Sequence, residues 1–306
     1  MKFLLAGGAG AVGRDLTPAL LNLGHVVRIL DKDLDAFPIS GHENLELLQG
    51  RVEDRSLAAK AVKDCEVVVH LAWSFADDLA ELVESDLRGQ VTLLEAAAAA
   101  PVSHFFYISS AIVYGSPTSF SISETDPCLA EKARKPFYGV AKLAAEKFAL
   151  AFWRTKGLPV TIFRFWWSYG EEISGRHLRE MLGRAVAGQP LEVPADAGGS
   201  FLHHDDLTRA ILLAFQKPQT YGEIFNLATI YLSWEDIARM IIEVAGSSSP
   251  LVVIPPKEWQ GPKFLADTWR LDQGKAERLL GYASLFGQDA ARKGLKAAIE
   301  RGFKKR

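Results

Sequence analysis

The chain has 306 residues, 35 Lys and Arg against 37 Asp and Glu, and two cysteines. That length supports one large α/β domain or two modest ones with ample core. A net charge of −2, with no long basic run before Arg301, Lys304, Lys305 and Arg306, argues against a nucleic-acid groove or a membrane-surface patch. Cys65 and Cys128 cannot make a disulfide framework or a thiolate metal site, and no span approaches the ~20 apolar residues that cross a bilayer. Residues 1–6 are too short an apolar run for a secretory signal, so the chain reads as cytoplasmic.

Residues 2–6 form a short apolar run, followed by Gly7-Gly8-Ala9-Gly10-Ala11-Val12-Gly13 with glycines at three-residue intervals. Val12, Leu16, Ala19, Leu20 and Leu23 then repeat at helical spacing, and a second apolar run, 26–30, ends at Asp31. Strand, glycine turn, helix, strand and acid is the order that a dinucleotide site requires. Gly7 permits a sharp exit from the strand, Gly10 leaves room for a pyrophosphate, and Gly13 lets the helix lie close to the sheet. The helix N-terminus offers unpaired N–H groups and partial positive charge to the phosphates. Asp31 can accept from both ribose hydroxyls and repels a 2′-phosphate, which favours NAD over NADP. Lys32 beside it works in the opposite direction.

Further on, the pattern predicts a strand at 45–48, a loop at 50–54 carrying Asp54, and a short helix at 56–62. Val67-Val68-Val69 lies in a continuous apolar run, as in a strand covered on both faces. Ala72 and Trp73 leave its end, and Asp54 and Ala72 complete the candidate cofactor contacts. A helical pattern spans 79–100, and a strand follows at 105–109. Alternating strands and helices imply a doubly wound parallel α/β sheet with right-handed crossovers.

Two segments carry the chemistry. Ser109-Ser110-Ala111-Ile112-Val113-Tyr114-Gly115 stands at a strand end, and Tyr138-Gly139-Val140-Ala141-Lys142 opens a helix running to about 154. Residues four apart share a helix face, so Tyr138 and Lys142 can act together. A phenol with a pKa of about 10 is a poor base at neutral pH. A nearby ammonium favours the phenolate, and the same lysine can reach the nicotinamide ribose. Ser110 can hold a substrate oxygen against the tyrosine.

With these residues in this order, the chain resembles the extended short-chain dehydrogenases/reductases of the NAD-dependent epimerase/dehydratase group. Phe163-Arg164, His203-His204-Asp205-Asp206-Leu207 and Gly222-Glu223-Ile224-Phe225-Asn226 extend the match over nearly the whole chain. The resemblance implies a Rossmann-type fold with a smaller C-terminal substrate-binding lobe, NAD as cofactor, and hydride transfer at a secondary alcohol or ketone. Tyr138 is then the acid/base, Lys142 its activator and Ser110 the positioning hydroxyl. It divides the chain into 1–168 with roughly 201–230, against 169–200 with 231–306. It also implies a homodimer through the helices at 79–100 and 138–154, where Leu143, Phe148, Ala151 and Phe152 form an apolar stripe.

The sequence departs from the group at several points. Trp167 stands where sugar-nucleotide members carry an asparagine, and Gly199-Ser200 replaces Arg-Asp, so a nucleotide-sugar substrate is in doubt. Ala111 and Ile112 offer no acid for elimination, which argues against dehydration. Asp86 and Arg51 also replace the group's usual asparagine and aspartate. Trp73, Trp166 and Trp167 are candidate walls of an apolar substrate pocket, and Arg270 the candidate anion ligand. Four consecutive residues such as 203–206 rarely converge on one ion, so no metal is expected. Gly198–Ser200 reads as an exposed turn, and 272–280 as the last helix. The alternative from another class is a non-catalytic NAD(P)-sensing protein on the same fold.

Overall fold

Alternate residues of strand Lys2–Ala6 enter opposite cores: Phe3 and Leu5 pack on one face of a sheet, Leu4 and Ala6 on the other. A strand apolar on both faces must be covered on both, and helices do so here. A computed structural model describes residues 1–304 apart from Ala36, Asp77, Thr118 and Ser174. Lys305 and Arg306 of the basic tail lie outside the described residues. The central sheet has seven parallel strands, in the order Glu223–Asn226, Val160–Arg164, His104–Ile108, Val67–His70, Lys2–Ala6, Val26–Asp31 and Leu45–Gln49. Strand order reverses between Lys2–Ala6 and Val67–His70. That crevice is where ligands bind in open α/β sheets.

Local chemistry fixes the helix ends around it. Gly10 precedes Ala11–Asn22 and brings no side-chain cap, whereas Asp54 caps Arg55–Val62 through the Ser56 and Leu57 N–H groups. Pro136 opens the long helix Pro136–Lys156, and Gly157 closes it at φ +70°. Ser233 and Asp236 form the capping box of Trp234–Val244. The pattern at 79–100 is not one regular helix: Leu79–Glu81 runs into a π-helical stretch, Leu82–Leu87, and then Arg88–Ala98. The wide turn carries Ser85 and Asp86 on the cavity wall.

A second sheet joins Trp167–Tyr169, Gly198–His203, Ile230–Ser233 and Thr268–Trp269, and a parallel pair, Leu191–Pro194 and Leu251–Ile254, lies beside it. The expected exposed turn at 198–200 is therefore a buried strand. A Cβ on Gly198 would lie 2.2 Å from the Leu232 carbonyl oxygen, and one on Gly199 would lie 2.1 Å from the Trp166 ring. These glycines serve close approach, not turning. The interleaved division expected at 200/201 cuts through this strand. Gly274–Leu280 is not the final helix either. Gln288–Lys304 follows, burying Ala291, Leu295, Ala298 and Ile299 in the core of the second lobe.

Two histidines inside the central sheet make stability depend on acid. Burial pushes His70 and His104 down to about 3, and the Lys142 charge adds to this at His70. In the unfolded chain each takes a proton near pH 6.5, so lowering the pH from 6.5 towards 3 favours unfolding. The urea midpoint should fall between pH 6.5 and 4.5 by the equivalent of about 4 kcal/mol, roughly half from each histidine. His104→Gln, which keeps a partner for Thr161 Oγ1, should flatten that dependence.

Candidate active site

The carboxyl ends of the strands at the reversal point open into a cavity of about 740 Å³. It runs across the sheet from Asp31, Lys32 and Arg51, past Gly7, Gly10 and Val12, to Ser110, Tyr138 and Lys142.

The glycine turn is shaped by backbone contact. Gly7 has φ +83°, and a Cβ there would lie 2.4 Å from the Ala72 nitrogen. A Cβ on Gly13 would lie 2.3 Å from the Gly8 carbonyl oxygen, so the helix cannot tolerate a side chain at this approach. At Gly10 the nearest atom to an added Cβ is the Gly7 oxygen at 3.3 Å, which leaves the cavity side open. The Asp31 carboxylate accepts from Ala9 N–H at 2.9 Å and Asp33 N–H at 3.2 Å, one bond on each oxygen. Each oxygen retains acceptor capacity for a ribose hydroxyl. An uncapped helix N-terminus, a glycine-lined approach and a carboxylate across from it fit a dinucleotide.

Gly7, Gly10, Asp31, Ala72 and Lys142 line the cavity, whereas Gly13 supports its turn from behind. Asp54 does not line it: its carboxylate is occupied in capping Arg55–Val62, and Val52 and Glu53 form the wall instead. Asp31→Ser removes the charge that repels a 2′-phosphate and leaves Lys32 in place. The NAD⁺/NADP⁺ affinity ratio should fall at least about tenfold, as measured by calorimetric titration.

Ser110 ends the His104–Ile108 strand, caps the 3₁₀ turn Ala111–Tyr114 and hydrogen-bonds the Tyr138 phenol. Lys142, one turn after Tyr138, is buried. Its Nζ donates to the Ile108 carbonyl at 2.9 Å and lies 3.9 Å from the centroid of the Trp73 ring. Burial raises the Tyr138 pKa, with the Asp86 charge adding to this, while the Ser110 hydrogen bond and the Arg134 charge act against it. Burial also pushes Lys142 down to about 7, despite the neighbouring Asp86 and Glu146 carboxylates. Low dielectric penalises both charged forms, and Trp73 contacts both side chains.

Aromatic rings dominate the remaining wall. Trp73 and Phe75 pack on the Tyr138 ring, and Trp166, Trp167, Phe264 and Trp269 also line the cavity. Trp166 and Trp167 are core and wall at once, packing against the second-lobe cluster. Arg270 is not part of the lining: its guanidinium stacks 3.7 Å from the Tyr231 ring centroid. Arg134, which the sequence did not single out, lines the cavity and stacks 4.5 Å from Phe264. Asp86, which replaces the group's usual asparagine, accepts from the backbone N–H and the hydroxyl of Ser74. The residues of 203–206 point apart. His203 caps the following helix, His204 faces Asp15, and Asp206 binds Thr229, Ser284 and the Leu285 N–H.

Fold and site together define a dinucleotide-dependent oxidoreductase of the Rossmann type. The sequence profile of the NAD dependent epimerase/dehydratase family matches residues 3–228, and the chain belongs to that family; it is an NAD-dependent enzyme of this class. A dTDP-glucose 4,6-dehydratase of Streptomyces niveus is 28% identical over 293 residues, covering 89% of this chain and 86% of its own. The uncharacterized protein y4nG of Sinorhizobium fredii is 28% identical over 272 residues, covering 86% of this chain, and the match spans 64% of that protein's length. The crystal structure of DesIV, a dTDP-glucose 4,6-dehydratase from Streptomyces venezuelae with NAD and TYD bound, is similar with a TM-score of 0.79. Sequence identity there is 25%, over 99% of this chain and 98% of that one.

Proposed function

We propose that this enzyme interconverts a secondary alcohol and its ketone, with Tyr138 exchanging the hydroxyl proton and Ser110 holding the reacting oxygen. The observation that carries this reading is the Ser110–Tyr138 hydrogen bond at the end of the cavity, with Lys142 one helical turn away. Bound NAD supplies the hydride acceptor or donor. Gly7, Gly10, Asp31 and Ala72 would hold it, and Lys142 would reach its ribose. Because burial raises its pKa, Tyr138 is a phenol at neutral pH, set to give a proton to a nascent alkoxide. Epimerisation or simple dehydrogenation follows according to whether the ketone stays or leaves. Ala111 and Ile112 supply no acid for dehydration.

The substrate class we infer is a compact apolar alcohol or ketone, not a nucleotide sugar of the kind dTDP-glucose dehydratases act on. Trp73, Trp166, Trp167 and Phe264 supply the apolar surface, and Arg134 the polar handle. NADH absorbance with a panel of cyclic and aryl secondary alcohols, UDP-glucose and dTDP-glucose tests this. Turnover confined to the apolar alcohols supports the reading, and turnover of either nucleotide sugar with none of the alcohols overturns it. Exposed Leu79 and Val83 at the start of the 79–98 helical stretch, with Phe137, Val140 and Phe148 on Pro136–Lys156, support a homodimer, measured by light scattering. Two free cysteines, one buried, suit a reducing cytoplasm.

A further inference from the structure

Three side chains distant in sequence meet at the cavity wall, between the helix N-terminus and the Ser110 end. His204 is buried, with Nδ1 2.5 Å from Asp15 Oδ2 and Nε2 3.1 Å from Ser168 Oγ. Asp15 stands one turn into Ala11–Asn22, the helix whose N-terminus faces the phosphate position. Ser168 lies in Trp167–Tyr169, just past Phe165, whose carbonyl accepts from the Ala111 N–H beside Ser110. Ser168 and His204 both line the cavity. They therefore sit where a dinucleotide must pass from its phosphates to the reacting end.

The trio has the order of a hydrolase relay, yet the N–H groups of Gly170 and Glu171 bond Glu172 O and Asp15 Oδ2. They offer no oxyanion site next to Ser168. What the relay does set is the direction of one hydrogen bond. The Asp15 carboxylate only accepts, so His204 Nδ1 donates to it. In the neutral imidazole Nε2 is then an acceptor, and it takes the single proton of Ser168. Towards the cavity, Ser168 Oγ can only accept.

We propose that Ser168 accepts a hydrogen bond from the carboxamide NH₂ of the NAD nicotinamide, with His204 and Asp15 as positioning residues. The carboxamide is the N–H donor of that ring, so an acceptor-only oxygen at this place reads its NH₂ end and rejects its carbonyl end. A fixed carboxamide fixes which face of the ring meets the substrate. The inference rests on NAD as cofactor and is independent of the substrate class.

Calorimetric titration of the full chain with NAD⁺ and with 3-acetylpyridine adenine dinucleotide tests it. The analogue keeps the carbonyl and replaces the NH₂ by a methyl group. The wild-type chain should favour NAD⁺ by about tenfold, the worth of one hydrogen bond in a partly buried site. Ser168→Ala and His204→Leu should bring that ratio close to one. His204→Gln, whose side-chain carbonyl can take the Ser168 proton, should retain most of the preference. A wild-type ratio near one overturns the proposal, as does a ratio unchanged by Ser168→Ala. Equal weakening of both ligands in Ser168→Ala means a structural role only, and overturns it too.

Discussion

Glu146→Leu should destabilise the fold by about 3–5 kcal/mol, read from urea unfolding at neutral pH. Glu146 and Arg164 are both buried, joined by two bonds: Nε to Oε1 at 2.8 Å and Nη2 to Oε2 at 2.5 Å. Burial alone would lower the arginine's pKa, but the Glu146 hydrogen bonds and negative charge together outweigh it and hold the guanidinium charged. Removing the carboxylate leaves that charge without its partner inside the protein. It also strips Ser109 Oγ of its acceptor, at 2.5 Å. The double variant Glu146→Leu with Arg164→Met should recover most of the loss, because a buried pair replaced by apolar groups of similar volume is often neutral. A Glu146→Leu cost below 1 kcal/mol would rule out this account.

The pair also bears on function, through position. Glu146 lies one turn after Lys142, and Ser109 precedes Ser110, so the carboxylate ties the helix carrying Tyr138 to the strand end carrying Ser110. The recovered double variant should therefore be stable yet slower than wild type.

The parts of this site written in the sequence are those set by local geometry. Gly7, Gly10 and Gly13 fall on one turn, Asp31 ends the adjacent strand, and Tyr138 and Lys142 are one helical turn apart. Spacing alone places each group, and the parallel central sheet follows from alternating strands and helices. What the sequence hid depends on contacts between distant segments. Asp15 and His204 are 189 residues apart, and no periodicity links them. Arg134 and Arg270 are equally basic on paper; only packing puts the first on the cavity and the second on Tyr231. Gly198 and Gly199 read as a turn because glycine is common in turns, whereas here Leu232 and Trp166 occupy the space of their side chains. The final helix was different: Ala291, Leu295, Ala298 and Ile299 carried its helical period openly, beside a charged tail.

Tyr138→Phe should lower kcat by about 10²–10⁴-fold while leaving NAD⁺ affinity unchanged. The substitution removes a single hydroxyl whose partner, Ser110, is only half-buried, so stability should change by no more than about 1 kcal/mol. Lys142 gives the complementary result. Burial holds its pKa at about 7, far below the ordinary lysine value, so the folded chain is destabilised by keeping this group charged. Between pH 7 and about 10.4 the unfolded state binds more protons at this residue, and its destabilising effect fades as pH rises through that window. Lys142→Met should thus stabilise the protein at pH 7 by roughly 1–3 kcal/mol, while NAD⁺ binding and turnover both fall. A residue that weakens the fold when present and abolishes chemistry when absent is retained for function. If the parent protein shows no turnover with any alcohol, and both variants keep its NAD⁺ affinity, the sensing alternative stands instead.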